Sequence, residues 1–247
     1  MPVSPTYGVR AQAAALGVQR ARVAAPVGFD FGAILAANAT HAWWAETLPA
    51  SGATGNWTDI NGVVATATGD PQVGTLNGKR AVVFAGAQWY ACPNFAAAIA
   101  QPFAIVSVAA NADPATSGLC VAGDSSGDVR LRQFIGQINM FNSPSALSGG
   151  ALPANTSFAV AALNNGASSS IRINGGETTT GTLGTNILAQ LHLGTRGPGF
   201  NNWTGLIALT AIIAPNALLT DPALQLADVV ARAAAVEAGA LIEYSIV

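Results

Sequence analysis

Charged side chains are scarce in this sequence. The 247 residues include 10 Lys and Arg and 12 Asp and Glu, together 9% of the chain, whereas 51% are hydrophobic. In a typical soluble domain about 25% of the residues are charged. The surface is therefore expected to be polar but largely uncharged. Such a chain is predicted to work in contact with other proteins, as a homo-oligomer or within a larger assembly.

Clustered positive charge and long apolar segments are also missing. The net charge is −2, which argues against a nucleic-acid partner, because binding to phosphates needs Lys and Arg gathered on one face. The longest apolar run, residues 206–214, is far shorter than the roughly 20 residues that cross a bilayer. The first residues contain no continuous apolar segment, so no secretory signal is predicted. We expect neither a nucleic-acid partner nor a membrane partner.

Only two cysteines are present, Cys92 and Cys120. Two cysteines are too few for a disulfide framework, and their spacing is not that of a metal site. Unpaired cysteine is among the most frequently buried residue types. The sequence therefore favours two buried free thiols.

Short apolar segments, bounded by Gly, Asn, Asp, Ser and Pro, recur along most of the chain. Residues 129–135 alternate apolar and polar side chains, which is typical of a strand with one solvated face. Residues 191–194 and 206–214 are predicted to form a hairpin. The pattern contains about ten or more short strands at spacings of about 8 to 15 residues. This pattern predicts an all-β fold, an antiparallel sandwich or jelly roll.

Both ends of the chain depart from the strand pattern. Residues 1–27 carry only positive charges, at Arg10, Arg20 and Arg22, and are predicted to form an N-terminal arm that orders on a neighbouring subunit. The domain is predicted to span residues 28–247. Near its end, Thr220-Asp221-Pro222 predicts the start of a helix over residues 223–238. Gly239 is expected to end this helix, and residues 241–247 are predicted to form an edge strand.

Several motifs, taken in order, resemble those of a known family. They are Trp43-Trp44, Trp57-Thr58-Asp59, Leu76-Asn77-Gly78, Ser170-Ile171-Arg172-Ile173-Asn174-Gly175 and Trp203-Thr204-Gly205-Leu206. Over residues 30–235 the chain resembles laminin G-like domains of the concanavalin A-like lectin and glucanase family. The resemblance implies a jelly roll of two curved antiparallel sheets with one short C-terminal helix. It does not imply one function, because this fold carries lectins, glycosidases, adhesion modules and virion proteins.

The residues that would carry chemistry in this family are sparse. Its calcium sites use loop carboxylates, and the only acidic cluster here, Asp113, Asp124 and Asp128, favours a turn at residues 124–128. Its glycosidases need two carboxylates about 5 Å apart, yet none of the four glutamates has a second acid within four residues. His41 and His192 stand alone and favour packed or rim positions over general bases. The sequence predicts no enzyme, no metal and no cofactor.

Two functions remain open at this stage. The first is a non-enzymatic virion structural protein, a bacteriophage capsid, collar or tail decoration component located in the virion. There Arg10, Arg20 and Arg22 of the arm would bind acidic groups on other virion proteins. A secreted module is disfavoured because such modules usually carry disulfides.

The alternative function is a carbohydrate-binding module or adhesin that recognises a host glycan. Its candidate site residues are Trp203 with Asn201 and Asn202, or Trp57 with Asp59. For these two tryptophans the sequence leaves open a purely structural role at the ends of the sandwich, since large aromatic side chains dominate cores.

Overall fold

The computed structural model describes residues 25–112, 119–126, 128–152, 155–196 and 201–246. The strands in these ranges are β1 (His41–Trp44), β2 (Trp57–Thr58), β3 (Val64–Thr68), β4 (Gln72–Leu76), β5 (Lys79–Ala85), β6 (Trp89–Ala91), β7 (Phe103–Asn111), β8 (Cys120–Gly123), β9 (Val129–Phe134), β10 (Gln137–Asn142), β11 (Ser145–Ala151), β12 (Ser157–Asn164), β13 (Ser169–Ile173), β14 (Thr178–Gly181), β15 (His192–Leu193) and β16 (Thr204–Ile213). The α-helices are α1 (Phe31–Asn38) and α2 (Pro222–Glu243), and short 3-10 helices lie at Ala45–Thr47 and Gly166–Ser168. The predicted arm contacts Arg10, Arg20 and Arg22 lie outside the described residues.

The strands form two antiparallel sheets that pack face to face. Sheet I has the order β14-β13-β12-β7-β16-β5-β4, and β1 also pairs with β16. Sheet II has the order β11-β10-β9-β8-β15-β6-β3-β2. This is an antiparallel jelly-roll sandwich, as the sequence predicts.

The two sheets differ in how many of their faces are covered. The central strands of sheet I, β7 and β16, are buried along almost their whole length. One of their faces packs on sheet II, and the other packs beneath α1 and α2, where Leu35, Val229 and Val236 are fully buried. Sheet II instead shows the alternation of a sheet with one buried face, with Leu131, Ile138 and Leu193 directed to the core. Both α-helices therefore lie on sheet I.

Helix α2 is longer than the sequence predicts. Pro222 lies in its first turn, as expected, but the helix continues through Gly239 to Glu243. A Cβ atom at position 239 would lie 2.8 Å from Cδ2 of Phe31, so glycine here allows α1 to pack closely against α2. The predictions of a short helix ending at Gly239 and of an edge strand at residues 241–247 are wrong. Neither described helix is both long enough and apolar enough to span a membrane.

The predicted hairpin at residues 191–214 is also wrong. Strand β15 lies in sheet II between β6 and β8, whereas β16 lies in sheet I between β7 and β5. The chain turns at Gly194, which has φ +76°, and the Trp203 N–H donates to the Gly194 carbonyl at 2.7 Å. The two apolar strands therefore lie in different sheets and do not share a hydrogen-bond ladder.

The edges of both sheets are short or irregular. Sheet I ends in β14, which has four residues, and in β4. Sheet II ends in β2, which has two residues, and in β11. The register of β11 against β10 shifts between Ile138 and Asn139, and Gly150 in β11 has φ +115°.

Candidate ligand-binding face

The outer face of sheet II, called here the open face, carries the candidate site. Strand β9 directs Val129 and Leu131 into the core, and the alternating residues point outward. The same alternation in β10 and β11 places further polar and aromatic side chains outward. In this half of the open face the outward residues are Arg130, Arg132, Phe134, Gln137, Asn139, Phe141, Ala146 and Ser148.

Four of these side chains form one stacked unit, the arginine–phenylalanine cluster of Arg130, Arg132, Phe134 and Phe141. The guanidinium carbon of Arg130 lies 4.2 Å from the centre of the Phe141 ring. That of Arg132 lies 4.6 Å from the Phe141 ring centre and 4.8 Å from the Phe134 ring centre. Such distances are those of cation–π contacts. The register produces them, because Phe141 pairs directly with Arg130 across the two strands.

Among the described residues, the two arginines of the cluster have no carboxylate ion-pair partner, whereas three other arginines do. Arg80, Arg172 and Arg232 are paired with Glu46, Glu237 and Asp228, respectively. Within the described ranges, neither Arg130 nor Arg132 forms an ion pair, and the buried Nε atom of each has no hydrogen-bond partner. Burial lowers the pKa of both guanidinium groups, and the charge of Arg130 lowers the pKa of Arg132 further.

A third arginine lies beside the cluster. Gly123 pairs with Arg130, and a Cβ atom at position 123 would lie 3.2 Å from both Cβ of Arg130 and Cα of Arg196. The missing side chain therefore allows Arg196 to approach Arg130, and the charge of Arg196 contributes to the lowered pKa of Arg130. The charge of Asp124 raises the pKa of Arg130 and so opposes this effect. The Asp124 carboxylate also accepts hydrogen bonds from Ser126 Oγ at 2.8 Å and from the Val129 N–H at 3.1 Å. The turn predicted at residues 124–128 is confirmed for its described residues.

His192 continues the same row of the open face, opposite Gly123. Its side chain is packed, with only 5% of the residue exposed, and Nδ1 has no hydrogen-bond partner. Burial lowers the pKa of His192, although Asp124 and a backbone hydrogen bond to Tyr90 act in the opposite direction. Burial therefore favours the neutral form of His192, and its packed position agrees with the packed or rim position predicted from the sequence.

This burial predicts a dependence of stability on pH. In the unfolded chain a histidine takes up a proton below about pH 6.5, whereas the pKa of folded His192 is lower. The unfolded state then binds more protons, so the free energy of unfolding falls as the pH decreases from about 7 to about 5, by at most about 1.4 kcal/mol per pH unit. The free energy of unfolding is measured by urea denaturation at several pH values. Its slope against pH is expected to be shallower for His192→Gln than for the wild type. Equal slopes would contradict this assignment.

The structure places both predicted glycan-stacking tryptophans in the core. Trp203 and Trp57 are fully buried. The Trp203 indole donates to the Leu206 carbonyl at 3.3 Å, and the Trp57 indole donates to the Trp44 carbonyl at 3.3 Å. A ring without an exposed face cannot stack on a sugar. The prediction that these tryptophans form the sugar platform is therefore wrong, and the structural role that the sequence left open is the one observed.

The polar residues predicted beside these tryptophans have structural contacts as well. The buried Asp59 carboxylate lies 2.7 Å from Nδ1 of His41 and accepts the N–H groups of Asn61 and Val63 at 2.9 and 2.6 Å. It therefore fixes the turn before β3 and is not free to bind a ligand.

Asn201 and Asn202 hold the connection between the sheets. The Asn201 carbonyl accepts the Cys120 N–H at 2.8 Å, and the Asn202 amide donates to the Gly86 carbonyl at 2.9 Å. The Oδ1 atom of Asn202 is buried without a hydrogen-bond partner. With Trp203 in the core, these two residues do not form the predicted sugar site.

The cluster itself was not among the predicted site residues. Its signal was partly visible, since the alternation of residues 129–135 predicts a solvated face that carries Arg130 and Arg132. Phe134 and Phe141 join them only through the register of β9 with β10. That register is set by a two-residue turn in which Ile135 and Gly136 both have positive φ, and Ile135 does not match the Asn-Gly or Asp-Gly signature of such turns.

Cys92 and Cys120 are free of disulfides and buried, as predicted. Burial raises the pKa of the Cys120 thiol to about 12. Among the residues that the structure describes, no group of three or more His, Cys, Asp and Glu side chains is arranged to hold a metal ion.

Comparison with known proteins shows likeness only among solved structures. No family model and no curated protein sequence matches the chain. Domain 4 of an extracellular GH43 arabinanase from Geobacillus stearothermophilus, solved with arabinotriose, is 16% identical with a TM-score of 0.55, and the match covers 78% of this chain and 98% of that chain. A Trypanosoma rangeli sialidase, solved with 2,3-difluorosialic acid, is 13% identical with a TM-score of 0.50, over 84% of this chain and 36% of that chain. The LG1-3 region of the laminin alpha2 chain is 10% identical with a TM-score of 0.39, over 47% of this chain and 24% of that chain.

At these identities the likeness shows the fold alone. The arabinanase domain matches over nearly its whole length, which supports the sandwich fold. This chain spans about a third of the length of the sialidases that it matches.

Proposed function

We propose that this protein is a non-catalytic carbohydrate-binding domain whose ligand lies across the open face of sheet II. The observation that carries the proposal is the arginine–phenylalanine cluster, which occupies the sheet face that α1 and α2 leave uncovered. A functional role for the cluster is favoured over a structural role because neither Arg130 nor Arg132 forms an ion pair with a carboxylate of the described residues.

The chemistry of the cluster suits a saccharide. A sugar ring presents apolar C–H groups on its faces and hydroxyl groups around its rim. Phe134 is 40% exposed and offers an aromatic surface to the C–H groups. The stacked guanidinium groups and the exposed Gln137 amide supply hydrogen-bond donors. Ser148 Oγ donates to Gln137 Oε1 at 2.7 Å, which orients that amide.

The comparison supports this use of the fold. The arabinanase domain that matches over 98% of its length was solved in complex with arabinotriose. Sugar binding by this chain is part of our proposal. The position of the sugar is inferred from the contacts among this chain's own residues on the open face. The indole rings of Trp203 and Trp57 are excluded from that placement by their burial.

A glycan array and titration calorimetry test the proposal. Phe134→Ala is expected to weaken the affinity for the best-bound glycan by about tenfold, which corresponds to the loss of roughly 1.4 kcal/mol of stacking. The matched control is Val230→Ala, which truncates an exposed apolar residue of α2 on the opposite side of the sandwich and should bind like the wild type. Binding of no saccharide, or equal affinity in Phe134→Ala, would refute the proposal.

The virion role stays a prediction. It depends on the charge-poor composition and on the basic arm with Arg10, Arg20 and Arg22, which lies outside the described residues. Virion location, virion partners and homo-oligomer formation belong to that prediction. It is compatible with sugar binding, because a virion surface protein can also recognise a host glycan.

A further inference from the structure

Two positive charges share one aromatic ring in the cluster. The guanidinium carbons of Arg130 and Arg132 lie 4.2 and 4.6 Å from the centre of the Phe141 ring. They stand on alternate residues of one strand, about 7 Å apart along the backbone, and therefore repel each other. Arg196 adds a third positive charge beside Gly123. The arrangement attracts an anion.

The anion that this geometry suits is planar and carries two acceptors. A guanidinium presents N–H donors in a rigid fork that matches a carboxylate in a bidentate fashion. The contacts with Phe141 and Phe134 hold the two guanidinium groups in place. The charges of Asp124 and Asp128 act on Arg130, but no carboxylate of the described residues forms an ion pair with Arg130 or Arg132. The carboxylates of a ligand would supply that direct pairing.

We propose that the ligand of the open face is an acidic saccharide, with carboxylate-bearing sugar units whose carboxylates pair with Arg130 and Arg132. This inference rests on the proposed carbohydrate binding and specifies the class of sugar. The aromatic part of the cluster distinguishes a saccharide from a bare anion. A small inorganic ion would use the guanidinium groups alone, whereas a sugar unit would also cover the exposed ring of Phe134.

The test compares polymers that differ only in their carboxylates. Alginate, polygalacturonate and hyaluronate oligosaccharides are titrated beside their carboxyl-reduced forms, in which each carboxylate is replaced by a hydroxymethyl group. At least one acidic oligosaccharide is expected to bind about tenfold or more tightly than its reduced form. Its affinity should fall as the ionic strength is raised from about 0.01 M to about 1 M, because the screening length shortens from about 30 Å to about 3 Å.

Variants then assign the effect to the cluster. Arg130→Gln and Arg132→Gln are each expected to weaken binding of the acidic oligosaccharide by about tenfold. Arg132→Lys keeps the charge but removes the fork, so it should also weaken binding. Lys79→Gln is the charge-matched control, because Lys79 pairs with Glu243 away from the open face, and it should leave binding unchanged. Circular dichroism and thermal unfolding check that each variant is folded.

The outcomes separate this inference from the proposed function. If an acidic oligosaccharide and its reduced form bind equally well and both depend on Phe134, carbohydrate binding holds and the acidic class is refuted. If no saccharide binds, both are refuted. Dextran sulfate serves as the probe for a general polyanion site. If it binds as tightly as the best carboxylated oligosaccharide and is unaffected by Arg132→Lys, the carboxylate assignment is refuted.

Discussion

Replacing Trp203 by alanine is expected to lower the free energy of unfolding by about 3 to 5 kcal/mol. The indole is fully buried in the core between the sheets and meets the Phe158 ring edge-on, with the ring centres 6.4 Å apart. Truncation removes this packing, leaves a cavity and deprives the Leu206 carbonyl of the indole N–H. Urea unfolding followed by circular dichroism measures the change.

Trp89→Ala provides a matched control for this substitution. Trp89 lies in sheet II, where it pairs with Thr68. Its neighbour Tyr90 points into the core, so the Trp89 ring points outward and is only partly buried. We expect a loss of about 1 kcal/mol or less at this position. Equal losses for Trp203→Ala and Trp89→Ala would contradict the assignment of Trp203 to the core. A glycan-binding defect in Trp203→Ala would report lost stability and not a lost sugar contact.

Gly205→Ala is the second substitution with a large expected effect, a loss of about 3 to 5 kcal/mol. Gly205 has φ +142°, a conformation that other residues rarely adopt, and an added Cβ would overlap the carbonyl oxygen of Ala110. That carbonyl belongs to β7, which is paired on both sides by β12 and β16. The backbone therefore cannot move away without breaking two ladders.

Gly62→Ala separates the clash from the backbone strain. Gly62 has φ +86°, but a Cβ atom there would meet no atom within 4 Å. Only the conformational cost remains, about 1 to 2 kcal/mol. Thermal unfolding of the two variants is expected to show a clearly larger decrease in melting temperature for Gly205→Ala. Similar decreases would mean that β7 yields at this point, contrary to the prediction.

Much of the fold is predictable because strand periodicity and turn residues act locally. The Asn77-Gly78 pair marks the turn between β4 and β5, and the alternation at residues 129–135 marks β9. The partner of a strand, by contrast, is not a local property. The two apolar strands flanking Trp203 resemble a hairpin in sequence, yet the chain turns at Gly194 and the strands lie in different sheets.

Gly239 and Trp203 differ from their predicted roles for a related reason. Gly239 resembles a helix end, but it lies within α2 because Phe31 of α1 packs against its backbone. Trp203 lies among turn and amide residues that would suit a sugar site, but its side chain points into the core. In both cases the decisive neighbour is distant in sequence, so no local pattern contains it.

The candidate site was also only partly predictable from local sequence patterns. Arg130 and Arg132 are visible as the solvated side of one strand. Their stacking on Phe141 depends on which residue of β10 stands opposite Arg130. A shift of one residue would turn Phe141 into the core and leave the arginines beside different side chains. The cluster therefore exists only in the paired sheet.

The short and irregular sheet edges have a consequence for solubility. With so few ionic groups, repulsion between molecules is weak, and unpaired strand edges would otherwise recruit one another into continuous β-structure. The two-residue β2 and the four-residue β14 offer little template for such growth, and the register shift beside β11 interrupts the regular spacing of donors and acceptors that an incoming strand would need. The geometry of these edges therefore limits strand pairing between the sheets of two copies.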